Sequence, residues 1–220
     1  MLVAGVDEAG RGPVIGPMTI CIVVMDEADE PAFRKAGIKD SKLLSPSERK
    51  RLYSHVEKHC KEHHCIHITA KELNELMDAY SLNEIEAMKA AELIGKLKRK
   101  VARIYIDSPD TVAKRFEERI RNYVKIPEGT AIHSEHKADV KYAACGAASI
   151  IAKVQRDEVI EKIKQEWGHD FGSGYPSDPR TIDFLKSNID RPEVAKYIRK
   201  KWETVERLKH EKGQKKLGEF

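Results

Sequence analysis

The chain opens with a short apolar run, Leu2-Val3-Ala4-Gly5-Val6, that leads straight into two adjacent carboxylates and a glycine-rich turn, Asp7-Glu8-Ala9-Gly10-Arg11-Gly12-Pro13. An apolar run bounded by turn residues reads as a buried strand. The fold must therefore bury a strand whose end carries two acids. A second strand is predicted at about Met18 to Val24, and His64 to Thr69 alternates as a third. Between them, Ser45-Pro46-Ser47-Glu48 predicts a helix start, with Ser45 as N-cap, Pro46 at the first helical position and Glu48 closing a capping box. That helix is predicted to run to about His59. Helices are also expected over Ala70 to Ala79, from Ser81 through Leu97, and from Asp110 to about Tyr123. Two short strands are expected at Val101 to Ile106, ending at Asp107, and at Ala131 to Ser134. A long helix then runs from about Val140 to Trp167, followed by helices at Pro179 to Ser187 and Pro192 to about Glu211. Strands that cluster first and then alternate with helices predict a mixed α/β sheet with helices on both faces.

Composition narrows what such a sheet can do. The 220 residues suit one domain, or one domain with a small appendage, and can bury a core without staples. An apolar share of 40% is too high for a disordered chain. No apolar run approaches the roughly 18 residues of a membrane span, and residues 1–12 carry no basic-then-apolar leader. A cytoplasmic protein with no membrane partner is expected, with Cys21, Cys60, Cys65 and Cys145 all reduced. Forty Lys and Arg against 36 Asp and Glu give a formal charge of +4, which permits a nucleic-acid partner without demanding one. Abundant Lys and Glu with scarce Gln and Asn hint at a thermophilic source.

The chemistry is expected in the carboxylates. Asp7 and Glu8 would face opposite sides of an unbroken strand, so a shared site predicts a break between them, which Gly10 and Gly12 make plausible. Asp107 ends the strand Ile104-Tyr105-Ile106, and Asp139 opens the long helix. Carboxyl groups at the ends of apolar elements cannot all stay ionised close together unless cations offset them. Oxygen-only ligands suit Mg²⁺ or Mn²⁺, and two such ions about 3.5–4 Å apart can serve a phosphoryl displacement. Taken singly, each Asp reads equally well as a turn residue or a helix cap. Gly10 and Gly12 can bring backbone N–H groups close to a phosphate, and Arg11 adds charge. A second cluster, His55, His59, Cys60, His63, His64, Cys65 and His67, has zinc-ligand residue types but no paired Cys-x-x-Cys. Its placement on a helix and an alternating strand predicts solvated or incidental histidines.

Asp7-Glu8-Ala9-Gly10-Arg11-Gly12-Pro13 resembles the signature opening of the type 2 ribonucleases H, the ribonuclease HII family. The resemblance continues, in the family's order and to about residue 180, through Lys39-Asp40-Ser41-Lys42, Asp107-Ser108-Pro109, Glu135-His136-Lys137-Ala138-Asp139, the segment from Ala147 to Lys153, and Gly172-Ser173-Gly174-Tyr175-Pro176-Ser177-Asp178-Pro179. The His-Lys-Ala-Asp block has an archaeal flavour. The resemblance implies a ribonuclease H-like five-stranded mixed sheet with flanking helices and a helical C-terminal extension. It places the catalytic domain at 1–176, the extension at 177–211 and a flexible tail at 212–220. It implies that Asp7, Glu8, Asp107 and Asp139 are the metal-binding catalytic four, using two Mg²⁺ or Mn²⁺ ions. It further implies that Gly10, Arg11, Gly12 and Tyr175 read the ribonucleotide at an RNA–DNA junction. Lys42, Lys137, Lys141 and Lys153 are candidates for phosphate contact, as is Ser149, which could instead cap its own helix. The expected reaction is hydrolysis of RNA–DNA hybrids, and of duplex DNA on the 5′ side of embedded ribonucleotides, leaving a 3′-hydroxyl and a 5′-phosphate. The chain departs from the family's helix block at Cys145-Gly146, where glycine is expected to loosen local packing. The run from Ala143 to Ala148 is expected to let its helix lie close to the sheet.

The C-terminal Gln214-Lys215-Lys216-Leu217-Gly218-Glu219-Phe220 resembles the peptide that binds the DNA sliding clamp. A single turn would put Leu217 and Phe220 on one face, with Gln214 beside them. Gly213 is expected to end the last helix before it. A monomer is expected. Two other classes fit less of the sequence: another carboxylate-dependent nuclease of the same fold, such as a junction resolvase, and a non-catalytic nucleic-acid-binding module.

Overall fold

The computed structural model describes residues 1–38 and 44–217. Lys42 and the block around it, and Phe220, lie outside the described residues. Five strands form one sheet, β1 (Leu2–Ala9), β2 (Met18–Asp26), β3 (Glu62–Ile68), β4 (Arg103–Asp107) and β5 (Ala131–Glu135), in the order β3-β2-β1-β4-β5. β1 pairs antiparallel with β2 and parallel with β4, and β4 pairs parallel with β5. The sheet is mixed, as the element order predicts.

The helices are α1 (Glu30–Ala36), α2 (Pro46–His59), α3 (Ala70–Leu76), α4 (Leu82–Gly95), α5 (Ala113–Tyr123), α6 (Ala138–Lys141), α7 (Ala143–Trp167), α8 (Pro179–Asn188), α9 (Pro192–Ala195) and α10 (Glu203–Leu217). α2 starts where its capping box predicts: Ser45 N–H donates to Glu48 Oε2 at 2.9 Å, and Glu48 N–H donates back to Ser45 Oγ at 3.3 Å. α1 has no counterpart in the sequence reading, because Phe33 is its only buried residue and leaves no apolar period.

Three predicted helix boundaries are corrected. The helix expected from Val140 breaks at Tyr142, whose backbone is extended (φ −121°, ψ 123°). The Tyr142 ring stacks on Tyr105 with centroids 3.8 Å apart, and its hydroxyl donates to Glu135 Oε1 at 2.7 Å. Those anchors outweigh one turn of helix. The helix expected from Pro192 to Glu211 is two helices, because Ile198 leaves it to bridge Ile15. Gly213 does not end α10, which continues to Leu217.

The chain divides into two compact units. The first comprises Met1–Ala9, Thr19–His67 and Ser81–Gln155 and holds most of the sheet. On one face of β1, Val3 joins Leu52 and Val56 of α2 and the small residues Ala143, Ala144, Ala147 and Ala148 of α7 in one buried cluster. Gly5 permits the closest approach: a Cβ there would lie 2.1 Å from Ala144 C and Cys145 N. The small-residue run thus packs against the sheet as predicted. Gly146 instead allows a close approach to Asp139 and Ile38, since a Cβ there would meet Asp139 O at 2.9 Å and Ile38 Cγ2 at 3.2 Å. On the other face, Val6 and Ile106 share a cleft with Ala90 of α4 and Phe116 of α5.

Cys21 and Cys65, on adjacent strands, form a disulfide, which corrects the expectation of four reduced cysteines. Cys60 and Cys145 are free.

The second unit comprises Gly10–Met18, Ile68–Tyr80 and the chain from Arg156 onward. Its core gathers Val14 and Ile15 with Ile160, Phe171, Leu185, Ile198 and Val205. The Asn74 side chain donates to Ile198 O at 2.8 Å and accepts from Lys200 N–H at 2.7 Å, fixing the extended segment between α9 and α10.

Candidate active site

In the first unit the parallel pairing of β1 with β4 sets Val6 opposite Ile106, so Asp7 and Asp107 follow at one end of the sheet. Asp107 in turn stands opposite Glu135 on β5. The strand break expected between Asp7 and Glu8 does not occur, because β1 runs on to Ala9 and stays paired with β2. Both acids still line one cleft, with Asp107 and Glu86. The last β1–β4 pair is Val6 with Ile106, and β4 ends one residue later at Asp107.

Each acid is held by local backbone. Asp7 Oδ1 accepts the Glu8 N–H at 2.8 Å, and the buried Ser149 hydroxyl donates to the same carboxyl. Ser149 thereby supports the Asp7 carboxyl. Asp107 Oδ1 accepts the Ala138 N–H at 2.7 Å. It thereby caps α6, whose own N-cap residue, Lys137, has no capping side chain and sits in the left-handed region at φ 58°. Asp139, one residue into α6, is buried, and its Oδ1 accepts the Val140 N–H at 3.0 Å.

The acids feel one another. Burial, and then the charges of Glu8, Asp107 and Asp139, push the Asp7 carboxyl well above its ordinary range, against the Ser149 hydrogen bond. Burial, and then the charges of Asp7, Asp107 and Asp139, push up the Cys145 thiol, which donates to Tyr105 O at 3.2 Å. Concentrated negative potential with oxygen-only donors fits a divalent cation of the Mg²⁺ or Mn²⁺ type. Among the described residues, no group of three or more His, Cys, Asp or Glu side chains is arranged to hold a metal ion in the structure as it stands.

Other candidates are placed elsewhere. Lys141 pairs with Glu135 at 2.5 Å, so it is already engaged by an acid. Lys137 is exposed and Lys153 half-buried. The histidine-rich stretch has dispersed partners: His59 with the His55 carbonyl, Cys60 with His63, His64 with Glu62, and His67 with Thr19. Glu86, buried on α4, carries no signal of a site in the sequence, where a glutamate within a helix does not reveal its burial.

The second unit carries the predicted recognition residues. Gly10 has φ 85°, where a Cβ would lie 2.8 Å from Pro17 O. Gly12 faces the Tyr175 ring, whose Cε1 would lie 3.5 Å from a Cβ at that position. Arg11 O accepts from the buried Arg199 guanidinium at 3.1 Å. The 172–175 turn is tied by Asp178, which accepts the Ser173 N–H at 2.8 Å and caps α8. Those contacts hold the Asp178 carboxyl down at about 2.

Comparisons with known proteins find similar chains over nearly the whole length. The family model described as Ribonuclease HII matches residues 4–205. A relative from Pyrococcus horikoshii, named Ribonuclease HII, is 46% identical over 212 residues, covering 94% of this chain and 93% of its own. The crystal structure of ribonuclease H2 from Pyrococcus horikoshii OT3 superposes with a TM-score of 0.84 at 44% identity, covering 96% of this chain and 98% of that one. A structure of the PCNA:RNase HII complex from Archaeoglobus fulgidus gives a TM-score of 0.82 at 40% identity, covering 92% of this chain and 96% of that one.

Proposed function

The chain belongs to the ribonuclease HII family, and we propose that it hydrolyses RNA–DNA hybrids and also cuts duplex DNA on the 5′ side of an embedded ribonucleotide. The observation that carries this reading is the cleft at one end of the sheet, where the buried Asp7 lies with Glu8 and Asp107. Acids that repel one another at a sheet end are costly unless the site takes up cations and a phosphate. Two Mg²⁺ or Mn²⁺ ions bound by these four carboxylates would activate water and stabilise the leaving 3′-oxygen. The residues themselves do the positioning. The Glu8 N–H and the Ser149 hydroxyl orient Asp7, and the Asp107–Ala138 hydrogen bond holds α6, which carries Asp139. Gly10, Arg11, Gly12 and Tyr175 read the ribose, whose 2′-hydroxyl alone distinguishes RNA from DNA at one nucleotide. Lys137 and Lys153 contact the substrate phosphates in this reading.

A duplex containing one ribonucleotide tests this. Cleavage on its 5′ side, leaving a 3′-hydroxyl and 5′-phosphate and occurring only with added Mg²⁺ or Mn²⁺, is expected. Metal-independent cutting, or cutting of all-DNA duplex at the same rate, would overturn it.

The C-terminus adds a partner. Gln214 is exposed near the end of α10, and the Archaeoglobus fulgidus relative was solved in complex with PCNA. We propose that Gln214, Leu217 and Phe220 attach this chain to a sliding clamp. Deleting 214–220 is expected to abolish co-elution with the clamp in size-exclusion chromatography while sparing cleavage of a short duplex. Unchanged co-elution would refute the tail as the attachment point.

A further inference from the structure

Arg156 is a charged side chain in an expensive place. It lies on α7 and is only 2% exposed. Burial pulls its pKa down, as expected for a guanidinium taken out of water. Its ion-pair partner is the adjacent Asp157, at 3.3 Å through Nη1. Its Nε–H, also buried, has no acceptor. A buried donor left unsatisfied is uncommon and calls for a reason beyond packing.

Its remaining contacts converge on the recognition residues. Nη2 donates to Ser173 O at 3.1 Å, inside the 172–175 turn. The guanidinium carbon stands 5.2 Å from the Tyr175 ring centroid, within range of a cation–π contact. A Cβ on Gly10 would lie 3.1 Å from Arg156 Nε, and one on Gly174 would lie 3.4 Å from Nη2. One rigid planar fork therefore touches the start of the Gly10–Gly12 loop, the turn that carries Tyr175, and the Tyr175 ring itself. A lysine at this position would keep the charge but lose the two-pronged geometry.

We propose that Arg156 is a positioning residue for ribonucleotide recognition, fixing the Tyr175 ring and the 172–175 turn against the Gly10–Gly12 loop. The proposal rests on the reading above that this loop and Tyr175 recognise the ribonucleotide. Arg156 acts through those groups and needs no contact with the substrate. Its buried position serves that purpose, since a cation shielded from water holds an aromatic face more firmly than an exposed one.

The test measures kcat and KM for the full-length protein on two substrates, a DNA duplex with one ribonucleotide and a long RNA–DNA hybrid. The variants are Arg156→Met, Arg156→Lys, Tyr175→Ala, and Arg156→Met combined with Tyr175→Ala, all assayed well below their measured melting temperatures. Arg156→Met is expected to lower kcat/KM on the single-ribonucleotide duplex about tenfold more than on the long hybrid, the size of one lost cation–π contact. Arg156→Lys should recover part of that ratio. The double variant should be no worse than Tyr175→Ala alone, because both changes disable the same device. Equal losses on both substrates, or losses that add fully in the double variant, would show that Arg156 only supports the fold. Tyr175→Ala separates the two claims. If it leaves the ratio unchanged, the reading of Tyr175 fails. If it lowers the ratio while both Arg156 variants keep it, only the Arg156 assignment is overturned. Should Arg156→Met not fold, Arg156→Lys decides on the same criterion.

Discussion

Asp7→Asn is expected to reduce cleavage by about 10³-fold or more, about 4 kcal/mol of lost transition-state stabilisation, and to leave the protein at least as stable as wild type in metal-free buffer. The amide keeps the shape of the carboxyl and its bond to the Glu8 N–H, but removes the charge that cations require. The stability half follows from the sign of the Asp7 shift. A carboxyl whose folded pKa is raised above its unfolded value favours the protonated form in the native state. Above that folded pKa its ionised form costs stability in full, and the cost shrinks as pH falls below it, vanishing below the unfolded pKa. An amide never pays that cost, so the melting temperature should hold or rise. Added Mg²⁺ should then stabilise wild type more than the variant, because ligand bound only to the native state raises stability by mass action. Near-normal turnover by a folded variant, or identical Mg²⁺ stabilisation of the two proteins, would remove Asp7 from the site.

The sequence made part of this site readable and hid the rest for identifiable reasons. Asp7 and Glu8 stand out because two acids follow an apolar run, and charges at the end of a buried strand need a purpose. Asp107 and Asp139 read singly as a turn residue and a cap, and Asp107 does act as a cap, for α6. Their place at the ends of apolar elements raised a shared site and the family resemblance specified it; the strand register that sets Asp107 beside Asp7 is not a local property of sequence. The expected break between Asp7 and Glu8 failed because alternation assumes a sheet that continues on both sides, whereas β1 outlasts β4. Cys21 and Cys65 lie 44 residues apart, and nothing in that separation reveals that their strands are neighbours. Arg156 and Glu86 sit in helices where a charged residue normally marks the solvated face, so burial there is visible only once the helices are packed.

Gly5→Val is expected to prevent the native fold, and Gly5→Ala to lower the melting temperature by about 6–12 °C, on the scale of about 3 kcal/mol for overpacking and about 2–4 °C per kcal/mol for a chain of this size. Glycine inside a strand normally weakens it, and the intrinsic preference would favour either replacement. Packing reverses that preference. A Cβ at residue 5 would sit 2.1 Å from two backbone atoms of α7 and 2.5 Å from Ala144 O. Backbone cannot rotate away as a flexible side chain would, so the strand and helix must separate. Separation would open the cluster of Val3, Ala143, Ala144, Ala147 and Ala148 and pull Ser149 away from Asp7, so residual folded protein should also lose activity. Gly95→Ala supplies the contrast. Its nearest neighbour beyond its own helix would be the Val124 Cγ2 at 3.9 Å, an ordinary contact, and alanine favours the helix by about 1 kcal/mol over glycine. That variant should melt at or above the wild-type temperature. Thermal unfolding followed by circular dichroism ranks the three. A Gly5→Ala protein that melted with wild type would mean that β1 and α7 are not in contact at this point, and the placement of Ser149 beside Asp7 would fall with it.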